Sequence, residues 1–163
     1  MTVKLTEYDR YKLERAKAWL YHVRRTARRM DEARERYDEK RRTIDMVGAQ
    51  QYGERVQTSG RLHGDDRIVA YLAQLDEIAG DMTAQYAEYV ETMAEARVVF
   101  AALTTPDGHA AMAAHWIYGD TWTEVARRLG CSEAKARLVG STAALECYGL
   151  MPRRWRDPMP PAI

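Results

Sequence analysis

Over residues 68–103, apolar side chains recur in strictly alternating steps of four and three. The series is Ile68, Leu72, Leu75, Ala79, Met82, Tyr86, Tyr89, Met93, Ala96, Phe100 and Leu103. A repeat sustained this long predicts a coiled-coil seam. At 1.5 Å per residue, a helix of roughly 39 residues reaches about 58 Å. Such a helix cannot bury its seam in a small globule and needs a long helix beside it. That partner is either the preceding helix, antiparallel in the same chain, or a second copy. Gly80 is a weak point at mid-length, and the Met and Tyr members suit adaptable packing.

The rest of the N-terminal half allows such a partner. All five prolines fall at Pro106, Pro152, Pro158, Pro160 and Pro161, so nothing before residue 106 forces a helix to stop. Thr6 is a candidate N-cap for a first helix running to about Met46. Leu13, Ala16, Leu20, Val23, Ala27, Met30, Tyr37 and Ile44 give it an apolar face, interrupted by Arg34 and Arg41. Residues 24–42, RRTARRMDEARERYDEKRR, carry dense charge that can pair at i,i+4, as in Glu32–Arg36. This face is a solvated surface, a phosphate-contacting arm or a charged dimer contact. A Gly/Ser-containing connector is expected at about 52–66, with Asp65 or Asp66 capping the second helix.

Beyond residue 104 the punctuation changes. Thr105 before Pro106 is a cap followed by proline at the first helical position. A short helix to Tyr118 follows, apolar at Ala110, Met112, Ala113, Trp116 and Ile117. Thr121 and Glu124 then form a T-x-x-E capping box. Trp122, Val125, Ala126 and Leu129 make one apolar face, Gly130 supplies a left-handed stop, and Ser132 caps the next helix. Ala136, Val139, Ala143 and Leu145 give that helix its own buried side. Two short helices joined this tightly cross steeply, as in a helix-turn-helix. The second would project Ala134, Arg137, Leu138 and Ser141 away from the core, toward a DNA major groove.

The stretch HWIYGDTWTEVARRLGCSEAKARLVGSTAAL resembles the C-terminal part of the ArpU/RinA-like phage regulators of late transcription, a unit similar to sigma factor region 4. The segment RVQTSG at residues 55–60 also resembles that family, and the likeness covers about residues 5 to 148. It implies phage or prophage origin, DNA binding and control of late or packaging genes. In sigma region 4 the recognition helix often opens with Arg-Glu-Arg. Here Glu133, Ala134 and Lys135 stand there, so the sigma promoter preference does not carry over.

The candidate DNA contacts are Thr121, Arg127, Arg128, Ser132, Glu133, Lys135, Arg137, Leu138 and Ser141, with Arg153, Arg154 and Arg156 of a tail expected to be extended. Arg137 can bond a guanine bidentately, Lys135 suits phosphate, and Glu133 repels phosphate unless it reads a cytosine amino group. Overall charge is +1, so bulk charge gives no support for DNA binding. Its distribution is uneven: residues 1–45 hold 14 basic and 9 acidic side chains, residues 46–104 hold 4 and 9, so the two segments can attract each other.

No phosphate-binding loop, C-x-x-C or H-E-x-x-H occurs, and His109 and His115 are six apart, which excludes joint ligation on one short helix. His63 with Asp65 and Asp66 makes at best a loose metal set. The reading is therefore a non-enzyme without cofactor or metal. Cys131 and Cys147 are read as small packing residues, suiting a reducing bacterial cytoplasm. The start lacks an apolar signal core, and no stretch is long and apolar enough to span a membrane.

The expected protein is all-α. Residues 1–104 form a long helical coiled-coil or hairpin body, 105–150 a sigma region 4-like helix-turn-helix domain, and 151–163 a Pro/Arg-rich tail. Ile68, Leu72, Leu75, Met82, Tyr86, Tyr89, Met93 and Phe100 would form its seam. The expected partners are double-stranded DNA, RNA polymerase and further copies in a homodimer or higher oligomer. The alternatives are a small terminase-like packaging component, which would form a large ring, and a helical protein-interaction module that does not bind DNA.

Overall fold

The computed structural model describes residues 5–54 and 63–156. Their regular structure is entirely helical: α1 (Glu7–Glu54), α2 (His63–Ala101), α3 (Pro106–Met112), α4 (Trp122–Leu129), α5 (Glu133–Leu150) and α6 (Arg153–Arg156). No helix among the described residues is long and apolar enough to cross a membrane. Two compact units emerge: residues 28–89, and residues up to 27 together with those from 90 onward. The C-terminal helices thus share a unit with the start of α1 and the end of α2.

Thr6 caps α1 as expected. Its hydroxyl accepts the Asp9 N–H at 3.1 Å, and the Asp9 carboxylate accepts the Thr6 N–H at 3.3 Å. The helix continues to Glu54, past the expected end near Met46. Gly48 is a weak breaker, costing about 1 kcal/mol relative to Ala, and no proline reinforces it. α2 begins at His63, so positions 65 and 66 lie in its first turn and not at its cap. The expected connector of 52–66 is shorter by these helical residues. Residues 55–62, including the RVQTSG segment, lie outside the described residues.

In the unit of residues 28–89, α1 and α2 pair antiparallel within the chain. Ala33 and Arg36 share a small cleft with Ile78 and Asp81, while Lys40 lies 4.5 Å from the centre of the Tyr71 ring. Glu32 does not pair with Arg36 as the spacing suggested. Its carboxylate meets Arg28 at 3.9 Å, and the Arg36 guanidinium bonds the Glu32 carbonyl at 3.3 Å.

The seam of α2 is rotated from the strict 4-3 series. Met93, Ala96, Phe100 and Leu103 are buried, and Ile68, Leu75, Ala79, Met82 and Tyr89 are half-buried. Leu72 and Tyr86 are 47% and 55% exposed, whereas Tyr71, Ile78 and Gln85 are half-buried. The covered residues 71, 75, 78, 82 and 85 precede 89, 93, 96, 100 and 103 by about five turns of a 3.6-residue helix. An uncoiled helix drifts about 20° per heptad from a 3.5-residue stripe, which moves Leu72 and Tyr86 off the contact.

In the other unit, Ala16, Trp19, Leu20 and Val23 of α1 are fully buried. The Trp19 and Phe100 rings meet edge-on at 6.1 Å. The end of α2 is tied to α5: the Thr104 N–H donates to the Glu146 carboxylate at 2.8 Å. Thr105 caps α3, with Pro106 in the first turn. α3 then widens into a π-helical turn, Ala113–Ile117, in which the Tyr118 N–H bonds the Ala113 carbonyl at 3.1 Å. Ala111, Met112, Ala114 and Trp116 are buried, and Ala110 faces outward. Cys147 is enclosed in α5, and burial pushes its thiol up to about 12. That position is a packing site with no thiolate chemistry at neutral pH.

α3, α4 and α5 enclose Ala111, Ala114, Val125, Ala126 and Ala136, with Trp122, Leu129, Cys131 and Val139 packed around them. Small side chains let the helices approach closely. The tightest approach is at Gly140, where a Cβ would lie 2.1 Å from Trp122 Cη2. Gly140→Ala should therefore destabilise the protein by about 1–3 kcal/mol through overpacking. Gly149→Ala, in the same helix with nothing within 4 Å of the added carbon, should stabilise by up to about 1 kcal/mol. Urea-unfolding midpoints check both signs, and equal effects would contradict the packing described.

Candidate nucleic-acid interface

The helix-turn-helix is held by local chemistry that the sequence specifies. The Thr121 hydroxyl accepts the Glu124 N–H at 3.3 Å, and the Glu124 carboxylate accepts the Thr121 N–H at 2.7 Å. The Thr121 backbone and hydroxyl bonds hold the Glu124 carboxyl below its usual range. Gly130 ends α4 at φ +64°, ψ 35°, a left-handed geometry that favours glycine. The Ser132 hydroxyl then accepts the Lys135 N–H at 3.3 Å and starts α5. Val125 is fully buried and Ala126 nearly so, fixing which side of α4 meets α5.

The outer face of α5 carries Glu133, Ala134, Lys135, Arg137, Leu138, Ser141 and Thr142, all exposed. Leu138 is 65% exposed and is the one large apolar side chain on that face. Thr121, Ser132, Arg127 and Arg128 are exposed as well.

The charges are not all available. Arg137 donates through Nε and Nη2 to Glu133 Oε1 at 2.9 and 2.7 Å. Thr123 donates to the other Glu133 oxygen at 2.8 Å. These bonds, Arg137 foremost, hold the Glu133 carboxyl below its usual range. Arg128 pairs with Asp120 at 2.7 Å. Among the described residues, neither Arg127 nor Lys135 has an ion-pair partner.

The described part of the tail departs from the extended form expected; residues 157–163 lie outside the described residues. Residues 153–156 are the short helix α6, folded back on its own unit. The Trp155 ring lies 4.9 Å from His22, and its carbonyl accepts Arg15 Nε at 3.2 Å. Arg154 is paired with Glu95 at 2.7 Å, and Arg156 donates to the Gly149 carbonyl at 3.1 Å. An anchoring tryptophan and two tied arginines make α6 a clasp; of its three arginines, Arg153 is the exposed one for which no ion pair is formed among the described residues.

Sequence reasoning missed the role of His115. Its ring stacks on Trp122 at 4.2 Å and 24°, and Trp122 in turn covers Gly140 of α5. His115 Nδ1 lies 2.7 Å from the Asp120 carbonyl, which calls for the tautomer that donates from Nδ1. Trp116 contacts Tyr21 of α1 edge-on at 5.1 Å. The π-helical turn sends these consecutive rings to different neighbours. The crowding of aromatics in HWIYGDTW hinted at a cluster, but their partners depend on a turn with no clear sequence signal.

Comparison with known protein families, with curated proteins and with solved structures gives no match.

Burial is the largest cause holding His115 below its ordinary value; the cations Arg24 and Arg137 act the same way, and the Asp120 carbonyl and carboxylate oppose them. The folded protein thus binds fewer protons here than the unfolded chain, so stability is retained above the ordinary histidine value of about 6.5 and falls as pH drops below it. The lowered carboxyls of Glu124 and Glu133 lose their contribution only in the acid range below about 4.3. Between pH 7 and 5.5, His115→Gln should flatten the pH dependence of the unfolding midpoint. An identical slope in the variant would contradict this assignment.

Proposed function

We propose that the chain is a DNA-binding transcriptional regulator of phage or prophage type, acting in a bacterial cytoplasm, whose α5 enters the major groove. The observation that carries this reading is the exposed face of α5, projecting from a capped, tightly packed three-helix unit. Leu138 is exposed there beside Lys135, Arg137 and Ser141, so one face combines an apolar side chain, two cations and a hydroxyl, the mix that base edges and phosphates call for. On DNA, Leu138 suits a thymine methyl and Arg137 a guanine edge, while Lys135 and Arg127 suit phosphate. Glu133 holds the Arg137 guanidinium in place. The resemblance to phage late-transcription regulators points the same way, and a contact with RNA polymerase would follow from it.

One such unit carries few free cations and would bind weakly. A second copy would double the contacts and set the half-site spacing. Val69, Leu72 and Tyr86, exposed along one side of α2, offer apolar surface for it. A packaging role would require a large ring in place of a dimer. A module binding only protein would show no salt-dependent affinity for DNA.

Selection of binding sites from a random duplex pool tests the reading. Arg137→Ala should lose preference at one guanine and Leu138→Ala at a neighbouring thymine, each by about 1–3 kcal/mol. Unchanged preferences in both variants, or no enrichment by the unaltered protein, would contradict it.

A further inference from the structure

The basic start of α1 and the helix-turn-helix are physically joined by a row of rings. Tyr21 meets Trp116 edge-on at 5.1 Å, Trp116 meets His115 at 4.9 Å, and His115 stacks on Trp122 at 4.2 Å. Trp122 then lies against the backbone of α5 at Gly140. The row begins at the surface, since Tyr21 is 55% exposed. Arg24 and Arg25 stand three and four residues beyond Tyr21, the spacings that share its side of the helix. Arg25 is exposed and Arg24 half-buried, and neither has a carboxylate partner among the described residues. The fields of both Arg24 and Arg137 reach His115, so the α1 cation and the α5 cation both lie within electrostatic range of that ring.

Neither cation has a carboxylate partner among the described residues to offset its charge, so both remain available to an anion outside the chain. They match a polyanion, and the polyanion already facing α5 under the proposed function is DNA. We infer that Arg24 and Arg25 of α1 form a second contact with the DNA backbone, on the strand flanking the groove that α5 reads. This inference rests on the DNA-binding reading of α5. α1 then does more than support the helix-turn-helix: it supplies sequence-independent affinity, while Arg137 and Leu138 supply preference. The aromatic row fixes the distance between the two contacts.

The test is fluorescence anisotropy with the full chain and a duplex selected by it, across a salt series. Arg24→Gln/Arg25→Gln should weaken binding roughly tenfold or more and lower the slope of log affinity against log salt by about two. The selected sequence should stay the same. Arg24→Lys/Arg25→Lys, which keeps both charges, should restore most of the affinity and slope. Affinity and slope unchanged in the Gln pair would overturn the α1 contact and leave the α5 reading standing. Equal loss in the Lys pair and the Gln pair would also overturn it, because the residues would then act through packing. No salt-dependent binding by the unaltered protein would overturn both.

Discussion

The Trp122 indole rests on bare backbone at Gly140, and the geometry of the C-terminal helices follows from that contact. The added carbon of any other residue would fall inside the ring. With the ring seated, α4 and α5 can close over alanine-sized side chains, and the turn between them must be as short as Gly130 and Cys131 make it. The Trp122 ring also stacks on His115, so one residue locks α5 to the π-helical turn. Small residues at the crossing and a large one at its edge divide the work. The first set the distance and the second the rotation about the helix axis, which decides that Leu138 and Arg137 point outward.

The long helices follow different physics. In the unit of residues 28–89, α2 meets α1 through a stripe that is only half-buried, and among the described residues Ala33 alone of that part of α1 is buried apolar surface. Gln85 stands within that stripe with its carbonyl oxygen unpartnered among the described residues. In the other unit the same helices contribute Trp19, Leu20, Val23, Met93 and Phe100 to a buried core. Stabilisation from apolar burial is therefore concentrated in the unit that carries the candidate DNA surface. A thinly buried pair with an exposed apolar side suits association better than independent stability.

The helix starts and stops of the C-terminal part were legible because each is written in chemistry within four residues. Thr105 before Pro106, the Thr121–Glu124 box, Gly130 and Ser132 all act where expected. The outward face of α5 was legible for the same reason, since 3.6-residue spacing follows once the helix start is known. Longer-range facts were not. Leu72 and Tyr86 left the seam because the covered face follows the turn of an uncoiled helix, a property of how α1 lies and not of α2's own residues. Trp19 sits outside the simple α1 stripe and is buried by Phe100, 81 residues away. Arg154 looked free until α6 folded it onto Glu95. The π-helical turn needs one extra residue per turn, which no local pattern announces.

The central claim is that the outer face of α5 is a DNA reader. Amide chemical-shift mapping during titration with a duplex that the protein selects tests it most directly. The account predicts that the largest changes fall in residues 132–142 and at the Thr121 cap, with the buried Ala143, Ala144 and Cys147 little affected. Changes confined to residues 28–89, or none at any DNA concentration in low salt, would contradict it and make the two helices a structural pair only.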